Sequence, residues 1–216
     1  MSHKKIVTGP EHAAATILLA HGAGGTMDTR WMEDMSGALT RNGFQVVRFE
    51  FEYMAARRIT GKRSPPPRAE HLQDEFMTVV EEFGSRANLL IGGKSMGGRV
   101  ASMIADDLLD KGAIAGLVCL GYPFHPIGKP EALRTAHLTD LRTPTLICQG
   151  TRDAFGSKEE VQSYDLSGSI ELKWLEDGDH DFKPRKAETG LTVADNIGIA
   201  AQRVSTWARG LRQSKA

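Results

Sequence analysis

Residues 91–100 read Ile91-Gly92-Gly93-Lys94-Ser95-Met96-Gly97-Gly98-Arg99-Val100, a Gly-x-Ser-x-Gly pentapeptide set between an apolar run and an amphipathic one. Upstream, Asn88-Leu89-Leu90-Ile91 has buried-strand character; downstream, Val100, Met103, Ile104 and Leu108 recur at helical spacing. A serine on so sharp a strand-to-helix turn projects its hydroxyl above the sheet. The flanking Gly93 and Gly97 let the crowded backbone make that turn. Ser95 is therefore a candidate nucleophile. Gly93-Lys94-Ser95 also resembles the end of a phosphate-binding loop, but that pattern wants its first glycine at position 88. Asn88 stands there, inside the expected strand, and leaves no loop to wrap a phosphate.

Outward from this turn, apolar runs alternate with helical patterns along the whole chain. Strands are expected at 16–20, 44–51, 88–92, 114–120, 145–148 and 170–174, with 5–8 as an edge. Ile170, Leu172 and Trp174 alternate with Glu171 and Lys173, the pattern of a half-exposed edge strand. Helices are expected at 32–41, 68–83, 98–111, 158–164 and 191–212. The last carries Val193, Ile197, Ala200, Val204, Trp207 and Leu211 on one face. Repeated strand–helix units predict one α/β domain over 1–216, with a mostly parallel sheet and helices on both faces. Two stretches read as irregular: 54–67, with Pro65-Pro66-Pro67, and 122–141, with Pro123, Pro126 and Pro130. Both follow strands, so both are expected as walls of a site at the carboxyl edge of the sheet.

A serine hydroxyl needs a base, and the base needs an orienting group. Asp153 follows the strand ending at Cys148, and His180 follows the 170–174 strand, giving the chain order Ser95, Asp153, His180. Each follows a different strand, so all three can meet above one sheet edge. Asp177 is the competing partner for His180, although its closeness in sequence suits that role less well. Asp179 and Asp181 read as solvated loop charges, and one histidine in this acidic patch gives no metal-ligand spacing. For the oxyanion, the two donors are assigned to the backbone N–H groups of Met96 and of Ala23, in Leu19-Ala20-His21-Gly22-Ala23-Gly24. The His21 side chain is expected to be structural.

The 27 Lys+Arg balance the 27 Asp+Glu among 216 residues, so no global field favours nucleic acid or an anionic membrane. Two cysteines, Cys119 and Cys148, sit in apolar strand-like runs and read as buried reduced thiols. No stretch approaches the ~20 apolar residues of a membrane span, and no signal-peptide pattern follows the N-terminus. A cytoplasmic protein is expected, needing no cofactor and no metal.

His21-Gly22-Ala23-Gly24, Gly93-Lys94-Ser95-Met96-Gly97-Gly98, Gly150-Thr151-Arg152-Asp153 and Asp179-His180-Asp181-Phe182 together resemble the α/β-hydrolase superfamily. The resemblance is to its small, dienelactone-hydrolase-like branch, with little or no cap domain, and covers about residues 15–210. Arg57-Arg58, Pro65-Pro66-Pro67-Arg68 and the 122–130 string are similar to a subgroup that includes a testis-expressed protein and a subunit of the NSL chromatin complex. The resemblance implies an eight-strand-type sheet with its first strand or two reduced. It also implies hydrolysis of an acyl bond by Ser95, His180 and Asp153. Dienelactone hydrolase proper carries cysteine where this chain has Ser95, so the lactone substrate does not carry over.

The expected partner is a small acyl substrate, with an anionic one suggested by Arg57, Arg58, Lys62, Arg63, Arg68, Lys94, Arg99 and Arg152. A solvated surface is the plainer account of that cluster. His125, His137, Tyr122, Phe124 and Trp31 could line a pocket, with ordinary packing the alternative. The rival function class is a non-catalytic interaction module that keeps the hydrolase fold.

Overall fold

The computed structural model describes residues 3–62, 65–84 and 88–213; Arg63 of the basic cluster lies outside them. Strands β1 (Lys5–Thr8), β2 (Ala15–Ala20), β3 (Phe44–Phe49), β4 (Leu89–Lys94), β5 (Gly116–Leu120), β6 (Thr145–Gly150) and β7 (Ile170–Leu175) form one sheet in the order β1-β3-β2-β4-β5-β6-β7. Only β1 runs antiparallel, against β3; every other pairing is parallel. Strands β2 to β6 are buried at every residue, because helices cover both faces and no face is left for water. Half-buried β7 is the edge that its alternating sequence suggested.

Side chains along each strand alternate between two cores. Leu18, Ile91, Leu117 and Ile147 pack on one face against Phe76, Val79 and Val80 of α3 (Gln73–Phe83) and Val100, Ile104 and Leu108 of α4 (Met96–Asp110). Ile17, Leu19, Leu90, Val118 and Leu146 pack on the other against α1 (Arg30–Arg41) and α7 (Val193–Gln213). Each fully buried aliphatic side chain contributes about 1.5–3 kcal/mol, so the two layers hold the sheet rigid beneath its loops.

Several expectations need correction. The stretch 54–67 is not irregular throughout, because α2 (Glu52–Thr60) occupies its first half and stops at left-handed Gly61, φ 70°. This helix buries only Met54, so it has almost no apolar stripe to announce it, and the proline run behind it dominates the local composition. The expected 68–83 helix begins as a 3-10 turn, Ala69–Leu72, before α3. Two four-residue helices complete the chain, α5 (Lys158–Val161), where a longer helix was expected, and α6 (Lys186–Thr189), which the sequence did not announce. Between β5 and β6 only a 3-10 turn at Ala136–Leu138 interrupts the loop, so the described residues insert no cap there. Among the described residues no helix is long and apolar enough to cross a membrane.

Cys119 and Cys148 are free thiols. They lie on neighbouring strands one register step apart and therefore face opposite cores. Burial pushes the Cys148 thiol up to about 12 and the Cys119 thiol higher still. The native protein is therefore expected to take up no Ellman's reagent at neutral pH, and to react at both thiols once unfolded in guanidinium. Rapid reaction in native buffer would show that one of the cores is open.

Candidate active site

Ser95 joins β4 to α4 at φ 52°, a left-handed value that is uncommon for a residue with a Cβ and costs ~1–3 kcal/mol. The reason lies on either side of it. A Cβ on Gly93 would stand 2.7 Å from the Ala20 carbonyl oxygen, and one on Gly97 would stand 2.7 Å from the carbonyl oxygens of both Ala20 and His21. The turn is thus pressed against the end of β2, and only glycine fits there. The Ser95 N–H continues the ladder to the Leu120 carbonyl at 3.0 Å, and its carbonyl accepts the first helical bond from Arg99 at 3.1 Å. The hydroxyl is left at the mouth of the sheet.

His180 meets it there. Its Nε2 lies 2.9 Å from Ser95 Oγ, and its Nδ1 lies 2.8 Å from Asp153 Oδ2. A carboxylate can only accept, so Nδ1 carries the proton and Nε2 is the acceptor for the serine hydroxyl. Asp153 is fully buried; Oδ2 also accepts from Gln149 Nε2 at 2.9 Å, and Oδ1 from the Phe155 N–H at 2.9 Å. The Phe155 ring lies 4.3 Å from the imidazole, centroid to centroid. The sequence therefore named three residues, from three strand ends, that stand in one hydrogen-bonded chain.

Asp177, the competing partner, is committed elsewhere. Its carboxylate accepts from Arg185 Nη2 at 2.6 Å and from the Arg185 N–H at 2.6 Å, and lies 2.7 Å from Arg152 Nε. The Arg185 hydrogen bond, with Arg152 beside it, holds this carboxyl far below the usual range. Asp179 caps its own loop through the Asp181 and Lys183 N–H groups at 2.8 and 3.0 Å, so it is more than a solvated charge. Asp181 is exposed.

Two residues of the site carried no clear sequence signal. Lys94 looked like a surface cation but is 6% exposed. Its ammonium donates to the His180 carbonyl at 2.5 Å, lies 3.3 Å from Asp181 Oδ1 and sits 5.2 Å from the Trp31 ring centroid. Burial lowers its pKa, against the pull of Asp181 and Asp153. It fastens the histidine loop to the elbow. Gln149 is the second: besides Asp153, its amide donates to the carbonyls of Tyr122 and Gly156 and accepts from the Tyr122 N–H at 2.7 Å. A polar residue inside an all-buried strand was the available clue.

His21 is structural, as expected. Its Nε2 accepts from the Phe51 N–H at 3.2 Å, which leaves Nδ1 to donate to the Gly22 carbonyl at 2.8 Å. Burial lowers its pKa and favours this neutral ring. Tyr122 and Phe124 are core residues, whereas Trp31 does line the site. His125 bonds the Pro126 carbonyl and His137 the Ser102 hydroxyl, so both belong to packing. Arg58 is locked between Asp28 and Glu50, and Arg152 is held by Asp177.

Two clefts meet at Ser95. One, of about 490 Å³, is lined by Trp31, Lys94, His180, Lys183 and the Gly22–Gly25 turn. The other, of about 560 Å³, is lined by Met96, Pro66, Pro67, Arg68, Arg99 and Arg134. Ala23, Ser95 and Phe155 border both. The proline run and the 122–141 loop therefore wall the second cleft, as their positions after strands suggested. Met96 is the first residue of α4, so its N–H has no acceptor within the helix. Among the described residues no group of three His, Cys, Asp or Glu could hold a metal ion.

Comparison with known proteins agrees with this architecture. The esterase domain of a Rhodothermus marinus protein superposes with a TM-score of 0.65 at 16% identity, over 97% of this chain and 98% of its own. An α/β serine hydrolase without a lid from Xanthomonas campestris gives 0.66 at 20% identity, over 94% and 88%. Dienelactone hydrolase from Anabaena variabilis gives 0.67 at 19%, over 96% and 91%. Likenesses at such low identity speak for the fold alone. A family model described as "Alpha/beta hydrolase domain" matches residues 13–209, nearly the whole of the sheet and its helices, and the chain belongs to that α/β-hydrolase family.

Proposed function

We propose that this hydrolase cleaves an ester, thioester or related acyl bond of a small molecule through a covalent acyl-enzyme on Ser95. The observation that supports this most is His180 within hydrogen-bond reach of both Ser95 Oγ, at 2.9 Å, and Asp153 Oδ2, at 2.8 Å. Ser95 Oγ attacks the acyl carbon as its proton passes to His180 Nε2, and the carbonyl π pair moves onto oxygen. The N–H groups of Met96 and Ala23 receive that oxyanion. When the tetrahedral adduct collapses, the bond to the leaving group breaks and His180 returns the proton to it. Water then attacks the acyl-enzyme with His180 again as base, releasing the acid and restoring Ser95. Asp153 keeps the Nδ1 tautomer and stabilises the imidazolium throughout. Water is the only co-reactant the balance requires.

The subgroup shared with a testis-expressed protein and an NSL chromatin-complex subunit is part of the same proposal, resting on the 57–68 and 122–130 strings. So is a cytoplasmic setting, which two buried free thiols favour. An interaction module has no use for a buried carboxylate that Gln149 and the Phe155 N–H hold so that one oxygen meets the histidine of a half-buried histidine–serine pair.

A fluorophosphonate probe is expected to label the native protein once, at Ser95, and to leave Ser95→Ala unlabelled; an inert Ser95 would favour the interaction module. Asp153→Asn should lower kcat by roughly 10³–10⁴-fold, because the amide no longer fixes the productive tautomer. Asp177→Asn separates the two acids: kcat falls less than tenfold, and the loss appears in stability. A carboxyl whose folded pKa is depressed stabilises above its unfolded pKa and loses that contribution as pH falls. Thermal melts should therefore show Asp177→Asn less stable than the wild type at pH 7, with the gap narrowing below about pH 4. Equal kcat losses at both positions would reopen the assignment of the histidine's partner.

A further inference from the structure

We infer that the second cleft takes an acyl chain ending in an anion, so that the substrates are half-esters or half-thioesters of short dicarboxylic acids or close analogues. This rests on the acyl-transfer reading above and names the substrate class for it. The charged residues lining that cleft are Arg68, Arg99 and Arg134 against a single carboxylate, Glu70. Glu70 is spent on Arg99, whose Nη2 donates to it at 2.6 Å. The Arg99 Nε–H is buried and has no hydrogen-bond partner. Among the described residues neither Arg68 nor Arg134 takes part in an ion pair. Burial, and next the neighbouring Arg99 charge, lower the Arg134 guanidinium from its ordinary value.

Three other arginines around the site are treated differently, while Arg57 donates to the Gly24 carbonyl. Arg58 is matched by Asp28 and Glu50, and Arg152 and Arg185 by Asp177. Arg99 and Arg134, both half-buried, and the exposed Arg68 line one cavity beside Ser95; like charges so placed repel until an anion neutralises them, and the planar guanidinium fork suits a carboxylate or phosphate oxygen pair.

The two clefts also tell which part of the substrate is charged. His180 must hand its proton to the leaving group, and His180 lines the first cleft, not the second. Met96, whose N–H faces the developing oxyanion in the mechanism above, lines the second. The leaving group thus lies with His180, and the acyl chain runs toward the arginines. Arg99 is four residues beyond Ser95 on α4, a rise of about 6 Å, which a chain of a few carbons spans.

The test compares the 4-nitrophenyl half-ester of adipic acid with 4-nitrophenyl hexanoate, equal in acyl length, after subtracting uncatalysed hydrolysis. Wild-type kcat/KM should favour the half-ester at least tenfold at low salt. That ratio should fall about tenfold in Arg68→Gln/Arg134→Gln and again as salt is raised, while fluorophosphonate labelling confirms an intact site. A wild-type ratio near one overturns this inference and leaves Ser95 chemistry standing. If neither ester is turned over, the acyl-transfer reading is what fails, and binding decides the rest. Calorimetry on Ser95→Ala should then find monomethyl adipate bound at least tenfold more tightly than neutral methyl hexanoate, with the difference lost in the added Arg68→Gln/Arg134→Gln changes. Equal binding of the two esters overturns the anion subsite.

Discussion

A serine held at positive φ against the end of a neighbouring strand is the constraint on which this molecule is arranged. Ser95 cannot relax, because the backbone of Ala20, the last residue of β2, and of His21 after it occupies the space behind Gly93 and Gly97. The strain is sustained by two hydrophobic layers that grip β2 and β4 from both sides. That arrangement turns core packing, which any sequence of the right pattern could supply, into a fixed position for one hydroxyl.

The remaining groups reach the hydroxyl by fastening loops onto the same edge. Gln149 ties the β6 loop to the 122–141 segment and to Asp153 in one step. Lys94 ties the histidine loop to the elbow from beneath, and Asp177 holds that loop through Arg152 and Arg185. These contacts are buried or half-buried and mutually satisfied, so each restrains a neighbour as well as itself. Reach and orientation place the imidazole between the Ser95 hydroxyl and the Asp153 carboxylate.

Much of this was legible in the sequence because periodicity and turn chemistry agreed. The β-strand runs are near-continuous Ile, Leu and Val, and Gly93-Lys94-Ser95-Met96-Gly97 falls where one such run gives way to helical spacing. Position after a strand was enough to bring Asp153 and His180 to the same edge. Less legible were features without a burial pattern of their own. Helix α2 hides a single methionine, and the charge of Lys94 said surface when its neighbours place it in the interior. The basic residues read as one cluster, yet Arg58 and Arg152 are locked by carboxylates while Arg68 and Arg99 line a cleft. That division depends on which acids lie nearby in space, and Asp28, Glu50 and Asp177 are distant in the chain or unremarkable in it.

The central claim is that the aligned hydroxyl becomes covalently acylated during turnover. Rapid-quench mass spectrometry with 4-nitrophenyl acetate measures this directly. One acetyl group should accumulate per chain, on the tryptic peptide containing Ser95, in step with a burst of one equivalent of nitrophenolate. Turnover with no burst and no acetylated peptide, or acetylation on some other residue, would contradict it.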